Sequence, residues 1–260
     1  MAIWAFLRPE LGVSIELFGY ALSINIVAFF FSYMLAFGIG DAALVISLSL
    51  ISLLSVVGFA TATYTFTRYR ERRNPATGLL AGYFVFGSVS FIVVALTALG
   101  ALTGYLNEYT SAILGLTAMV FINLSAFVAL DWKRILLLPI IIAAPILVFI
   151  VINIFSGLVI ADTPVYGPFY GITNLIQIIV PIALYFLIWH RMRKVDAGGR
   201  SRPLFIGIGL ILQVVGSLVG IITEGSFTAV GIVPSLVLFI SYLTFWVGVT
   251  GRADKLLVTV

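Results

Sequence analysis

The chain has 260 residues, 62% of them hydrophobic and only 9% charged, with a formal net charge of +4 and no cysteine. Soluble domains carry about a quarter charged residues, so a water-soluble fold is excluded, and the missing cysteines exclude disulfides, thiolate chemistry and iron–sulfur ligation by this chain. The basic residues sit in short segments beside apolar runs, where membrane topology accounts for them, so no nucleic-acid partner is expected.

The opening residues, Met1 to Glu10, show no charged stretch ahead of an apolar core and no small-residue cleavage signal. The first apolar run is therefore expected to be retained as a helix, with Met1–Arg8 as a candidate interfacial segment. A bilayer core about 30 Å thick needs roughly 20 apolar residues of helix. Eight such runs follow one another: span 1 at 12–38, span 2 at 42–67, span 3 at 77–104, span 4 at 109–130, span 5 at 135–160, span 6 at 168–189, span 7 at 203–224 and span 8 at 228–250. Turn signals separate them, among them Gly38-Ile39-Gly40-Asp41, Asn74-Pro75, Asp162-Thr163-Pro164 and Gly198-Gly199. The expected fold is all-α, a polytopic bundle of about eight transmembrane helices without a soluble domain.

Charge fixes the expected orientation, because Lys and Arg beside short loops stay on the cytoplasmic side. Arg8 precedes span 1. Arg68, Arg70, Arg72 and Arg73 follow span 2, Lys133 and Arg134 follow span 4, Arg191, Arg193, Lys194, Arg200 and Arg202 lie between spans 6 and 7, and Arg252 and Lys255 follow span 8. The loops after spans 1, 3, 5 and 7 hold no Lys or Arg. Both termini are thus expected on the cytoplasmic side of a plasma membrane. Trp4, Trp132, Trp189 and Trp246 fall at the same inner boundary, and Tyr105, Tyr109, Tyr166 and Tyr170 form an expected outer belt.

The two halves, 1–134 and 135–260, carry a hint of a 4+4 parallel duplication. Asn74-Pro75 before span 3 matches Arg202-Pro203 before span 7, and Gly87-Ser88 recurs as Gly216-Ser217, at offsets of 128 and 129 residues.

Four amides carry the strongest polar signal. Asn153 on span 5 and Asn174 and Gln177 on span 6 share a depth, Asn174 and Gln177 share a helix face, and Gln213 on span 7 lies nearer mid-depth. They form a candidate ligand-binding or interhelical polar cluster, suited to a quinone, a lipid headgroup or a small solute; plain interhelical hydrogen bonding is the simpler use. Asn123 on span 4 is placed further inward. Glu16 is a candidate intramembrane carboxylate for proton or cation coupling, against snorkelling toward the inner surface. The outer acids Asp41, Glu108, Asp162 and Glu224 suit helix capping better than a cation-collecting mouth. Pro139, Pro145, Pro181 and Pro234 are potential kinks, and the GxxxG patterns at Gly78–Gly82, Gly100–Gly104 and Gly216–Gly220 permit close helix approach.

A haem held by paired histidines needs two, and His190 stands alone at the inner end of span 6. A retinal Schiff base needs a lysine within a helix, but Lys133, Lys194 and Lys255 all lie outside the spans. No metal site, catalytic group or cofactor is expected beyond a bound lipid or quinone. The leading expectation is a non-catalytic accessory or structural subunit, or a membrane signal module, whose partners are the bilayer, other membrane subunits or further copies of itself. The rival is a small solute or ion transporter with a polar site among spans 5 to 7.

Overall fold

The computed structural model describes residues 42–99, 105–156, 166–194, 201–222 and 232–252. Span 1 with Glu16, and the acids Asp41, Asp162 and Glu224, lie outside the described residues. Regular structure among the described residues is helical throughout: α1 (Ala42–Arg72), α2 (Pro75–Ala98), α3 (Tyr105–Ala129), a 3₁₀ turn (Lys133–Ile135), α4 (Leu138–Ser156), α5 (Tyr166–Lys194), α6 (Ser201–Ile222) and α7 (Ile232–Thr250). These follow spans 2 to 8 in order. Six of them, all but α4, are long and apolar enough to cross a membrane, and α4 is apolar over Leu138–Val151.

Helix ends follow capping chemistry more than hydropathy. Span 2 was expected to stop at residue 67, yet α1 runs on through Arg68–Arg72, because charged residues continue a helix well and only the next residues forbid it. Arg73 turns left-handed at φ 52° and its N–H reaches Tyr69 O at 2.7 Å. Asn74, extended as a residue before proline must be, then accepts the Ala76 N–H at 3.0 Å, and Pro75 occupies the first helical position, where its missing donor costs nothing. At the end of α3, Asp131 takes φ 57° and the Trp132 N–H reaches back to Phe127 O at 2.9 Å, a Schellman closure.

The prolines divide into two kinds. Pro139 and Pro234 sit in the first turns of α4 and α7, which corrects their expected role as kinks; Pro145 and Pro181 lie inside α4 and α5 and each frees a carbonyl one turn earlier.

Packing closes a ring. Neighbours run α1, α2, α3, α5, α6, α7 and back to α1, while α4 packs outside the ring on α3 and α5. α1 carries four of its five buried hydroxyls cheaply: Ser52, Ser55, Thr61 and Thr65 each donate to a carbonyl of the preceding turn. Of the glycines in the expected motifs, Gly100 and Gly104 lie outside the described residues, and three of the others serve contacts within the chain. Gly78 faces the Tyr69 ring of α1, Gly82 the Phe121 ring of α3, and Gly216 faces Leu238 of α7. Tyr109, expected in an outer belt, is instead buried with Ala112 and Leu116 against Ile146 and Ile150 of α4.

Candidate functional site

Three polar or charged regions can be built from the described side chains. The first lies at the centre of the ring. Tyr83 and Phe84 of α2 and Tyr242 and Phe245 of α7 are all 0% exposed. Their rings meet edge to face, with centroids 5.7 Å apart for Tyr83–Phe245, 5.5 Å for Phe84–Phe245 and 6.2 Å for Phe84–Tyr242, the geometry that ring quadrupoles favour. Gln213 of α6 joins them by accepting the Tyr83 hydroxyl proton at 2.6 Å. Ser241 of α7 donates to Gly209 O of α6 at 2.7 Å. Among the described residues, the buried hydroxyls of Ser88 and Tyr242 here, and of Ser47 elsewhere on α1, have no partner within hydrogen-bond distance. Ser88 and Tyr242 close onto Gly58 of α1, and a methyl group there would overlap Ser88 Oγ and lie 2.9 Å from Tyr242 Cε1.

The second region joins α3, α4 and α5. Pro181 cannot donate to the carbonyl four residues before it, which belongs to Gln177, and the Asn123 amide supplies the missing donor at 2.7 Å. The same Asn123 Nδ2 approaches Gln177 Oε1 at 2.9 Å and Met119 O at 2.8 Å, and Gln177 Nε2 donates to Pro139 O at 2.8 Å. This knot repairs one helix and ties α4 to the ring. Beside it a lateral groove lined by Asn123, Phe127, Leu138, Pro139, Gln177 and Val180 encloses about 20 Å³, room for a water molecule. On the far side of α3, Ser125 Oγ donates to Ala76 O at 2.8 Å and lies 3.1 Å from the Tyr185 hydroxyl, linking α2, α3 and α5.

The four amides read from the sequence are therefore distributed. Gln177 is bonded to Asn123, the amide expected further inward, and Gln213 is bonded to Tyr83 across the ring. Asn174 is half-buried on α5, and Asn153 lies on α4, its side chain outside the described set. Glu108 lies in the first turn of α3. Tyr83, Tyr185 and Tyr242 escaped the sequence reading. Position was a signal for Tyr242 alone, eight residues inside span 8, whereas Tyr83 and Tyr185 lie six and four residues from the inner ends of spans 3 and 6 and so read as interfacial.

The third region is the basic end of the bundle. Arg68 lies over the Tyr64 ring at 5.3 Å, Arg193 over Trp189 at 5.8 Å and Arg252 over Trp246 at 5.9 Å. Arg68 also donates to the Tyr64 hydroxyl at 3.2 Å and to Glu71 Oε2 at 3.0 Å. His190 is exposed at the same end of α5.

No family model matches the chain, and neither a curated protein nor a solved structure matches it.

Proposed function

We propose that this chain is a non-catalytic membrane subunit that acts by packing against other membrane proteins. The observation that carries this reading is the use of its buried amides: Gln177 and Asn123 are spent on each other and on a proline-freed carbonyl, and Gln213 on Tyr83. A solute site keeps polar groups in reserve for the solute, whereas here they hold helices together, each contact contributing about 0.6–2 kcal/mol. The outer surface supports the same reading. α4 and α5 present Ile141, Val148 and Ile172, each more than half exposed, as apolar surface for a partner helix or lipid.

The finer architecture belongs to the proposal as well: eight spans, both termini cytoplasmic, and a 4+4 parallel duplication. The duplication gains support from the packing order. Exchanging the halves maps α1 onto α5, α2 onto α6 and α3 onto α7. The neighbours α1–α2, α2–α3 and α1–α7 then fall on α5–α6, α6–α7 and α5–α3, all of which pack. Two of the three pairs match in length, 31 and 29 residues for α1 and α5, 24 and 22 for α2 and α6, while α3 and α7 differ at 25 and 19. Single cysteines at Asp41 and Arg70 are expected to label from opposite sides of sealed vesicles; labelling of both from one side would refute the topology.

A second reading is a small-solute transporter with its polar site among α4, α5 and α6, and the water-sized groove beside Asn123 and Gln177 adjoins two of these helices, α4 and α5. Native mass spectrometry of protein gently extracted from its own membrane separates the two. A partner of fixed stoichiometry is the expected result. A lone chain or homo-oligomer that retains a small molecule would overturn the subunit reading in favour of transport.

A further inference from the structure

Two seams of the ring bring helices together at the basic end, and they differ. At the α1–α7 seam, Tyr64 and Trp246 meet edge to face with centroids 6.0 Å apart. Arg68 stacks on the outer side of this pair through Tyr64, and Arg252 through Trp246. The chain then turns at Gly251, whose φ of +75° places it directly against α6: a methyl group on Gly251 would lie 2.6 Å from Arg202 Nη2. Gly248, one turn earlier, abuts Arg202 O and Phe205 in the same way. Two guanidinium groups, Arg68 on α1 and Arg252 just past the end of α7, thus stack on the two rings of this pair, while the Arg202 guanidinium of α6 abuts the turn at Gly251.

The local charge is lopsided. Arg70, Arg72 and Arg73 continue α1 beside this cluster, and Glu71, bonded to Arg68, is the one acid among the described side chains there. At the other seam, α3–α5, the described side chains supply Arg134, Arg191 and Arg193 against Asp131, and the Trp132 ring is stacked inward on Phe127 at 6.0 Å. Depth also differs from an ordinary loop. α1 has 31 residues and so spans about 46 Å, against roughly 30 Å of hydrocarbon, which carries its last turns to headgroup level.

We propose that the basic end of the α1–α7 seam, where Arg68 and Arg252 stack on the Tyr64–Trp246 ring pair, binds the phosphate of an anionic lipid headgroup. The chemistry is that of a phosphate anion. A guanidinium fork matches its oxygens in two-point fashion, and the aromatic rings hold the forks in place so that little side-chain freedom remains to be lost. A lipid is the committed source, because the rings offer an amphipathic platform at the level where headgroup and acyl chain meet, and clustered basic residues beside a span attract anionic lipid.

The test uses the intact protein in mixed micelles containing phosphatidylglycerol or phosphatidylcholine, with bound lipids counted by native mass spectrometry. The unaltered chain is expected to retain phosphatidylglycerol in preference to phosphatidylcholine. The double variant Arg68→Gln/Arg252→Gln is expected to lose roughly twenty-five-fold of that preference, at about fivefold per arginine. The double variant Arg134→Gln/Arg193→Gln removes the same charge from the other seam and is expected to change it much less. Equal losses in the two variants would reduce the site to general surface charge and overturn the proposal. So would equal retention of the two lipids by the unaltered chain. Inorganic phosphate at millimolar concentration is expected to leave the bound lipid in place; displacement of the lipid by it would assign the site to a soluble anion instead. Should the seam variant fail to fold, the single variant Arg252→Gln takes its place: it is expected to lose about fivefold of the preference, and a loss no greater than that of Arg134→Gln would overturn the assignment.

Discussion

Phe245→Ala is expected to destabilise the protein by about 3 kcal/mol, within the range for aromatic truncation in packed cores. Phe245 is 0% exposed and fills the middle of the ring, where its own ring contacts Tyr83, Phe84 and Tyr242. It also lies flat on Gly209, where a methyl group would stand 2.9 Å from its ring carbons. In a bilayer the unfolded reference is lipid rather than water, so the transfer part of the loss shrinks and the loss of close packing dominates. The control follows from the same argument. Ile141 is 62% exposed on α4, and Ile141→Ala exchanges one apolar surface against lipid for another, for an effect within about 0.5 kcal/mol. Unfolding in mixed micelles titrated with dodecyl sulfate measures both, and equal shifts for the two variants would mean that the aromatic centre is not the stabilising core.

Gly248→Leu is the second large effect, because the atoms it would displace cannot move aside. A methyl group at Gly248 would meet Phe205 Cβ at 2.8 Å, Arg202 O at 3.2 Å and Ile206 N at 3.4 Å, two of them backbone of α6. Relief requires α6 and α7 to separate along the seam that Ser241 and Gly209 close by hydrogen bond. Overpacking costs about 1–3 kcal/mol where side chains can yield and more where they cannot, so a loss of at least about 3 kcal/mol is expected for leucine. Gly78→Ala is the contrast. Its methyl would lie 3.1–3.3 Å from the Tyr69 ring at the half-buried end of α1, and that ring can shift. Size-exclusion profiles and the same titration should show Gly248→Leu aggregated or strongly destabilised and Gly78→Ala close to the parent. A well-folded Gly248→Leu would refute the close α6–α7 approach.

The candidate polar residues were legible in part, and the division has a physical cause. An amide in an apolar run announces itself, so Gln177 and Gln213 stood out. Their partners did not, because pairing depends on the relative height and rotation of two helices that no single-helix periodicity encodes. One partner was within reach: Pro181 lies four residues after Gln177, which predicts an unbonded carbonyl at Gln177 and hence a donor from a neighbouring helix. Asn123 is that donor. Tyr83 was hidden for a different reason, since tyrosine in a membrane sequence first suggests an interface, and its hydroxyl became polar content of the core only through Gln213.

The sequence by itself determined the solvent, the order of the helices and the charge asymmetry of their connections, because each rests on local chemistry: long apolar runs need lipid, Asn74-Pro75 ends one helix and starts the next, and arginines cluster at alternate ends. The tertiary structure decided which face of each helix turns inward, that six of the described helices close a ring, and that α4 stands outside it. Hydropathy cannot supply this, because lipid and protein interior are equally apolar and the same residue types serve both. Leu210 and Ile211 are neighbours of nearly equal hydrophobicity, yet Leu210 is 0% exposed and Ile211 40% exposed. What separates them is the fit of side chains such as Phe245 against Gly209, and that fit exists only once the helices have met.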